Sequence, residues 1–325
     1  MTVLSISTAA TGRNYRRLCR ETTAEVAAVV KADAYGIGID AVVPALEQNG
    51  CRTYFVNRFD EGARVRALTK GRVFVLDSFA DGETPETYKN AGLIPVYSTV
   101  SALERFPEED DIAVRFDVGF GLAGIPCDYP VKRRTALVIG HLSDAENKNS
   151  SKNFEQLNRF KALSCAGKRS LAASYGMALG REYHFDMVRV GAALYTGEIP
   201  VRLTAKVGRL CRFPAGAAIG YGGAVRLERD TLVATVLAGA CDGIVHREGC
   251  SVVFDGMRLP VLGGPATNYM PVDATAVAGR IREGAEVALF DGTYTPDDLA
   301  KDSGTGVGAD VLIRLSSAVE RRIVD

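Results

Sequence analysis

A lysine ends the apolar run at residues 25–31, EVAAVVK, and ADAYGIG follows at once, so Lys31 is trailed by Tyr35, Gly36 and Gly38. An amine that closes an apolar strand is a candidate for Schiff-base chemistry, because desolvation favours the neutral, nucleophilic form of lysine. Other short apolar runs also end in polar groups. Asn57 and Arg58 follow TYFV, Asp77 follows RVFVL, Ser98 follows LIPVY, Arg115 and Asp117 close IAVRFD, His141 closes LVIGH, Ser174 follows SLAA, and Arg189 lies in MVRV. Guanidinium, imidazole and hydroxyl groups are what proton transfer and phosphate binding need. A polar residue at a strand end is equally what an ordinary surface turn shows. That plain reading is weakest for Lys31.

Metal chemistry has little to draw on. The three histidines, His141, His184 and His246, are far apart in sequence, and the seven cysteines (Cys19, Cys51, Cys127, Cys165, Cys211, Cys241 and Cys250) are odd in number with no C-x-x-C pair. Neither a metal site nor a disulfide framework is expected. The 39 basic and 39 acidic residues cancel without forming long runs, which gives no electrostatic footprint for nucleic acid or an anionic membrane. A small molecule is the expected partner. The opening MTVLSISTAATGRNYRR has no basic region leading into an apolar stretch, and no apolar run approaches about 20 residues, so a cytoplasmic location is expected.

The elements that must position these groups fall into two textures. With 47% hydrophobic and 24% charged residues the 325-residue chain can bury a large core, and at roughly 150 residues per domain it should form two domains. Strand-like runs at 25–31, 53–56, 72–76, 93–97, 112–116, 137–141, 170–173 and 187–190 recur at a mean spacing of about 23 residues, short for a βα unit. Helical periodicity lies between several of them, at 39–48, 59–68, 100–105 and 153–165. The pattern predicts an α/β fold: a compact (β/α)8 barrel over 11–205. From about 206 to 325 alternating strands and Asp-Gly turns predict a C-terminal all-β domain, which residues 1–10 are candidates to join. In such a barrel the chemistry sits at the C-terminal strand ends, where the polar groups above are placed.

The run VVKADAYGIG resembles the pyridoxal-phosphate lysine motif of the alanine racemase family, which reads V-K-A-N/D-A-Y-G-H-G. The likeness continues in order: GCRTYFVNRFDEGARVRAL is similar to the family's second βα unit, HFDMVRVGAALYTG to its eighth-strand signature, and GYGGAVRLERDTLVATVLAGACDG to the segment with its second base. The resemblance implies a fold-type III enzyme that uses pyridoxal 5'-phosphate to racemise a small amino acid, as a homodimer with shared sites. It implies that Lys31 links to the cofactor and serves as one base, with Tyr221 as the base on the opposite face. Tyr35 and Ser174 become phosphate ligands, Gly191 and Ala192 backbone donors to the phosphate, Arg189 the partner of the pyridine nitrogen, and His141 a neighbour of the ring. Two bases suit the reaction, which removes a proton from one face of Cα and returns one to the other. An arginine, always protonated in water, gives no proton to the ring, and an unprotonated ring is a weaker electron sink that disfavours side reactions.

Several family residues are absent. Leu122, in RFDVGFGLAGI, stands where the family has an arginine that binds the substrate carboxylate. Arg115 stands where many members have the lysine that positions that arginine, and Thr267 and Asn268 replace a Met-Asp pair beside the carboxylate. Arg115, Thr267 and Asn268 are therefore the substrate-binding candidates. Ala240 and Ser317 replace tyrosines that line the approach to the site, and Ile37 replaces a histidine. Losing rings widens a site, which makes a racemase for a larger amino acid one alternative. A pyridoxal-phosphate-binding relative with little racemase activity is another; it would need Lys31 but place no demand on Tyr221. A sugar-phosphate barrel enzyme, outside this family, would bind phosphate without linking it to Lys31.

Overall fold

The computed structural model describes residues 2–80, 82–195 and 198–325. It contains two compact units, Thr11–Ala34 with Ile39–Gly197, and Met1–Ala10 with Tyr35–Gly38 and Glu198–Asp325.

The first unit is a near-closed barrel of eight parallel strands: Glu25–Val29, Thr53–Val56, Arg72–Val75, Ile94–Tyr97, Ile112–Asp117, Thr135–Ile139, Lys168–Ser170 and Met187–Val190. The first seven pair successively in that order, and the last pairs back onto the first with Met187 opposite Glu25 and Val190 opposite Ala28. Continuous apolar strands are what a sheet covered on both faces requires, and every residue of Thr53–Val56 and Met187–Val190 is buried. Phe55 and Phe74 stack across neighbouring strands with centroids 4.9 Å apart, a geometry that adds about 0.5–1.5 kcal/mol to simple burial. At the N-terminal strand ends Glu25 accepts from Arg72 and Thr53, tying three strands together away from the C-terminal rim.

The seam between Lys168–Ser170 and Met187–Val190 is thin. One parallel bridge, Ala173 to Arg189, joins their extensions, with the Arg189 amide donating to the Ala172 carbonyl at 3.0 Å. The run expected as a strand at 170–173 is therefore strand only to Ser170, because Ser174 already leads into the 3-10 turn Tyr175–Leu179.

Helices Ile39–Gln48, Phe59–Leu68 and Val100–Arg105 occupy the expected positions. The first buries Ile39, Val42, Val43 and Leu46, the spacing of one helical face. Ser151–Lys161 stops four residues short of its expected end, where Ala162 caps it. Thr8–Arg20 and Pro85–Asn90 are helices that the apolar periodicity did not indicate.

The second unit is mostly β. The long strand Val201–Phe213 is its axis, pairing with Glu286–Phe290, with Thr231–Val236 and with Val3–Ile6; Val3–Ile6 in turn pairs in parallel with Glu320–Ile323. Irregularities in register at Val207/Arg209 and Leu203/Thr204 let one strand serve several partners. Ser251–Phe254 and Met257–Pro260 form a hairpin over Asp255-Gly256, both at positive φ as a two-residue turn demands. Two short helices, Pro296–Ser303 and Gly308–Ile313, interrupt the sheet. Among the described residues no helix is long and apolar enough to cross a membrane.

Gly36 is held tightly within this unit. Its carbonyl accepts from Arg321 Nε and Nη2 at 3.1 and 2.9 Å, its φ is +79°, and a Cβ there would lie 2.3 Å from the Leu312 carbonyl oxygen. Gly36→Ala is expected to cost about 2 kcal/mol or more through strain and clash together. A denaturant midpoint unchanged from wild type would show that the backbone absorbs the methyl group without cost.

Candidate active site

Lys31 leaves its strand through a backbone conformation that L-residues seldom hold in series. Ala32, Asp33, Ala34 and Tyr35 have φ values of 51°, 54°, 53° and 57°, a full left-handed turn. Each such residue costs roughly 1–2 kcal/mol, so the surroundings must over-determine the turn. Glu61 is the main clamp. Its buried carboxylate accepts from Ala32 N at 2.7 Å, Asn57 N at 2.9 Å and Arg58 N at 3.2 Å, tying the turn after the first barrel strand to the start of helix Phe59–Leu68. Ala34 N donates to the Val30 carbonyl at 3.0 Å, and Asp33 accepts from Ile39 N at 3.0 Å while pairing with Arg64 at 3.1 Å.

Four of the expected residues come together in the barrel. Arg189 is 4% exposed and has no carboxylate partner among the described residues; Nη1 donates to the Ser170 carbonyl and hydroxyl at 2.8 and 2.6 Å, and Nη2 to the Gly140 carbonyl at 2.6 Å. Burial, with Arg115 nearby, pushes Arg189 down to about 9, which leaves it protonated at neutral pH. His141 is pushed down to about 3 by burial and by the charges of Arg189, Arg115 and Lys31. Burial also lowers Arg115, although Asp77 and Asp117 partly oppose it. Phe120 carries its ring 5.5 Å from the Arg115 guanidinium carbon and turns its edge onto His141 at 4.9 Å and 83°.

Beside this group Ser174 Oγ accepts from two amides, Gly191 N at 3.0 Å and Ala193 N at 3.1 Å. Between these two donors lies Ala192, whose carbonyl accepts from Tyr195 N at 2.9 Å. Convergent amides with a hydroxyl are the groups that hold a phosphate oxygen. Glu61 and Phe120 were not singled out from sequence. The signal for Glu61 was its place in the first turn of helix Phe59–Leu68, where an acid reaches back to open amides.

The remaining candidates belong to the second unit. Tyr221 lies in the turn Tyr221–Gly223 and is 81% exposed. Tyr35 ends the left-handed turn. Thr267 and Asn268 are exposed and pinned to segment 239–242, where Cys241 N donates to the Thr267 carbonyl at 3.0 Å and Cys241 Sγ to Asn268 Oδ1 at 2.9 Å. Ala240 and Ser317 are exposed, whereas Ile37 is buried at 1% and serves the core. Leu122, in the barrel unit, is 82% exposed. Among the described residues no group of three or more His, Cys, Asp or Glu is gathered as a metal site would need.

Comparison with known proteins covers the whole chain. Residues 6–198 match the family described as alanine racemase, N-terminal domain, and residues 200–323 the alanine racemase, C-terminal domain. A catabolic alanine racemase of Rhizobium johnstonii is 32% identical over 98% of this chain and 94% of its own length, and an alanine racemase of Methylobacterium nodulans is 32% identical over 99% and 96%. The crystal structure of alanine racemase from Bartonella henselae, with covalently bound pyridoxal phosphate, superimposes with a TM-score of 0.91 at 26% identity, covering 99% of both chains. The biosynthetic alanine racemase of Pseudomonas aeruginosa shares the fold with a TM-score of 0.90 at 24% identity, covering 100% of this chain and 99% of its own.

The lowered His141 sets a pH dependence. A histidine held neutral in the native state gains its proton more easily once unfolded, so its contribution to stability is complete above about 6.5 and is lost as pH falls toward about 3. In the cofactor-free protein His141→Gln is expected to flatten the fall of the urea midpoint between pH 6.5 and 4, with about one proton fewer taken up on unfolding. An unchanged slope would mean that His141 is charged in the folded protein.

Proposed function

The chain belongs to the alanine racemase family and is a pyridoxal-phosphate-dependent amino-acid racemase; we propose that alanine is its substrate and that Lys31 and Tyr221 are its two bases. The observation that supports the residue assignment is the Ser174 hydroxyl with the converging Gly191 and Ala193 amides, in the same barrel as the buried Arg189 that no carboxylate meets among the described residues, an arrangement that asks for an anionic ligand. Pyridoxal phosphate fits that demand. Its phosphate has a natural place at the Ser174 hydroxyl and the Gly191 and Ala193 amides, with the Ala192 backbone and Tyr35 beside them on the family pattern.

When bound, the cofactor supplies a carbon that condenses with amines and a conjugated ring that draws electron density from the substrate's Cα. The chain's own residues do the remaining work. Lys31 Nζ anchors the group and moves the Cα proton on one face; the Tyr221 hydroxyl moves it on the other. Arg189, its terminal nitrogens held by Ser170 and Gly140, would meet the pyridine nitrogen through Nε and keeps its proton at neutral pH. His141, uncharged, lines the ring. The 81% exposure of Tyr221 on its own chain supports a base that works against a second copy, in a homodimer with shared sites. Cofactor binding is assigned to the 11–205 barrel domain and the second base to the 206–325 β domain, with residues 1–10 grouped with the latter, and a cytoplasmic site of action belongs to the same proposal. The small residues Ala240 and Ser317, both exposed, favour a second reading in which a larger amino acid is also turned over.

Two tests follow from these roles. After borohydride reduction and dialysis in denaturant, Lys31→Ala should retain no cofactor absorbance although it folds, whereas Tyr221→Phe should retain it as the reduced secondary amine. Each variant alone should lose racemase activity by roughly 100-fold or more, in line with removing a positioned proton carrier. Mixed dimers of the two should recover part of the activity, since one composite site is intact; verified mixed dimers without recovery would place both bases in one chain's site. In a panel of L-amino acids read out as D-enantiomers, alanine should be racemised, and a larger amino acid with higher kcat/KM would favour the second reading.

A further inference from the structure

Arg115 lies on the strand Ile112–Asp117, with the Phe120 ring over its guanidinium and in contact with His141, yet among the described residues no hydrogen bond or ion pair meets its charge. Its Nε is buried without a partner. Two carboxylates act on it through space, Asp77 and Asp117, but both are engaged elsewhere. Asp77 accepts from Asn57 Nδ2. Asp117 Oδ1 accepts the amides of Gly119, Phe120 and Gly121 at 2.9, 2.8 and 2.9 Å, folding the loop that brings Phe120 beside the guanidinium. The same loop presents Leu122, an apolar side chain 82% exposed, at the position where the family's arginine is absent. The loop therefore offers no cation of its own, and the one beneath it is left without an anion.

A guanidinium with a buried, unpartnered donor is costly until an anion meets it, and its planar fork matches a carboxylate. We propose that Arg115 is the oxyanion-binding residue of this site, taking the function of the arginine missing at 122, and that its ligand is the α-carboxylate of the amino-acid substrate. The inference rests on the racemase reading for the identity of the substrate. The phenolic oxygen of the cofactor is the other anion of the same chemistry, and the experiment separates the two.

Holoenzyme of wild type, Arg115→Gln, Arg115→Lys and the double variant Arg115→Gln with Leu122→Arg is titrated with propionate, a carboxylate without an amine. The readouts are the absorbance of the bound cofactor and, in parallel, cofactor affinity and the pH profile of that absorbance without propionate. Arg115→Gln should weaken propionate by about 10- to 100-fold, the range of one charge-assisted hydrogen bond. Arg115→Lys should fall between it and wild type, the double variant should recover part of the loss, and cofactor affinity should stay within about twofold. A shift in cofactor affinity and pH profile with propionate unchanged would overturn the carboxylate assignment in favour of the phenolic oxygen. Neither readout moving would overturn the proposal altogether. If Arg115→Gln does not fold, Arg115→Lys decides, since a lysine lacks the planar fork and should still weaken propionate. Wild type that binds cofactor and propionate but does not racemise would sink the racemase reading while leaving Arg115 supported.

Discussion

Buried guanidinium charge that no ion pair meets among the described residues is the constraint on which this barrel is organised. Arg189 is buried on carbonyls and a hydroxyl, Arg115 has an unpartnered Nε, and burial, with these charges and that of Lys31, keeps His141 uncharged. Burying such groups unpaired costs several kcal/mol per ion. The fold meets part of that cost with dipoles aimed at Arg189 and with the Phe120 ring against Arg115. An anionic ligand would offset the remainder.

The strained turn after Lys31 is the second device. Four consecutive left-handed residues follow Lys31 at once, and the carboxylate of Glu61 holds that turn from the next βα unit. Strain of this size persists where the packing leaves no alternative. A loop so determined has little entropy left to lose when a ligand arrives, which is what pre-organisation requires.

Much of this was legible in sequence, and the failures have physical causes. The strands Thr53–Val56 and Met187–Val190 and three of the helices stand where β-branched runs and helical spacing put them. Helix Thr8–Arg20 was hidden because its buried face carries Thr11 and Asn14 beside Tyr15 and Leu18, so apolar periodicity is diluted. Helix Pro296–Ser303 did announce itself through Thr295, Pro296, Asp298 and Gly304, a capping box with its stop, inside a segment whose strand-and-turn texture drew the reading toward β structure. At the site, residue types revealed Lys31, His141 and Arg189. What they did not reveal is which charges are spoken for: that Asp117 and Asp77 are engaged elsewhere, leaving Arg115 unpaired, depends on loop geometry that no spacing encodes.

The thin seam of the barrel has a consequence for how the molecule opens. Between Lys168–Ser170 and Met187–Val190 the ladder is reduced to a bridge at Arg189, the residue whose side chain also gathers Ser170 and Gly140. Local unfolding starts where backbone pairing is sparsest, so the staves are expected to part first at Arg189, the proposed partner of the pyridine nitrogen. Amide hydrogens along this seam are expected to exchange faster than those of the paired strands, and to slow when a ligand orders the groups that Arg189 gathers.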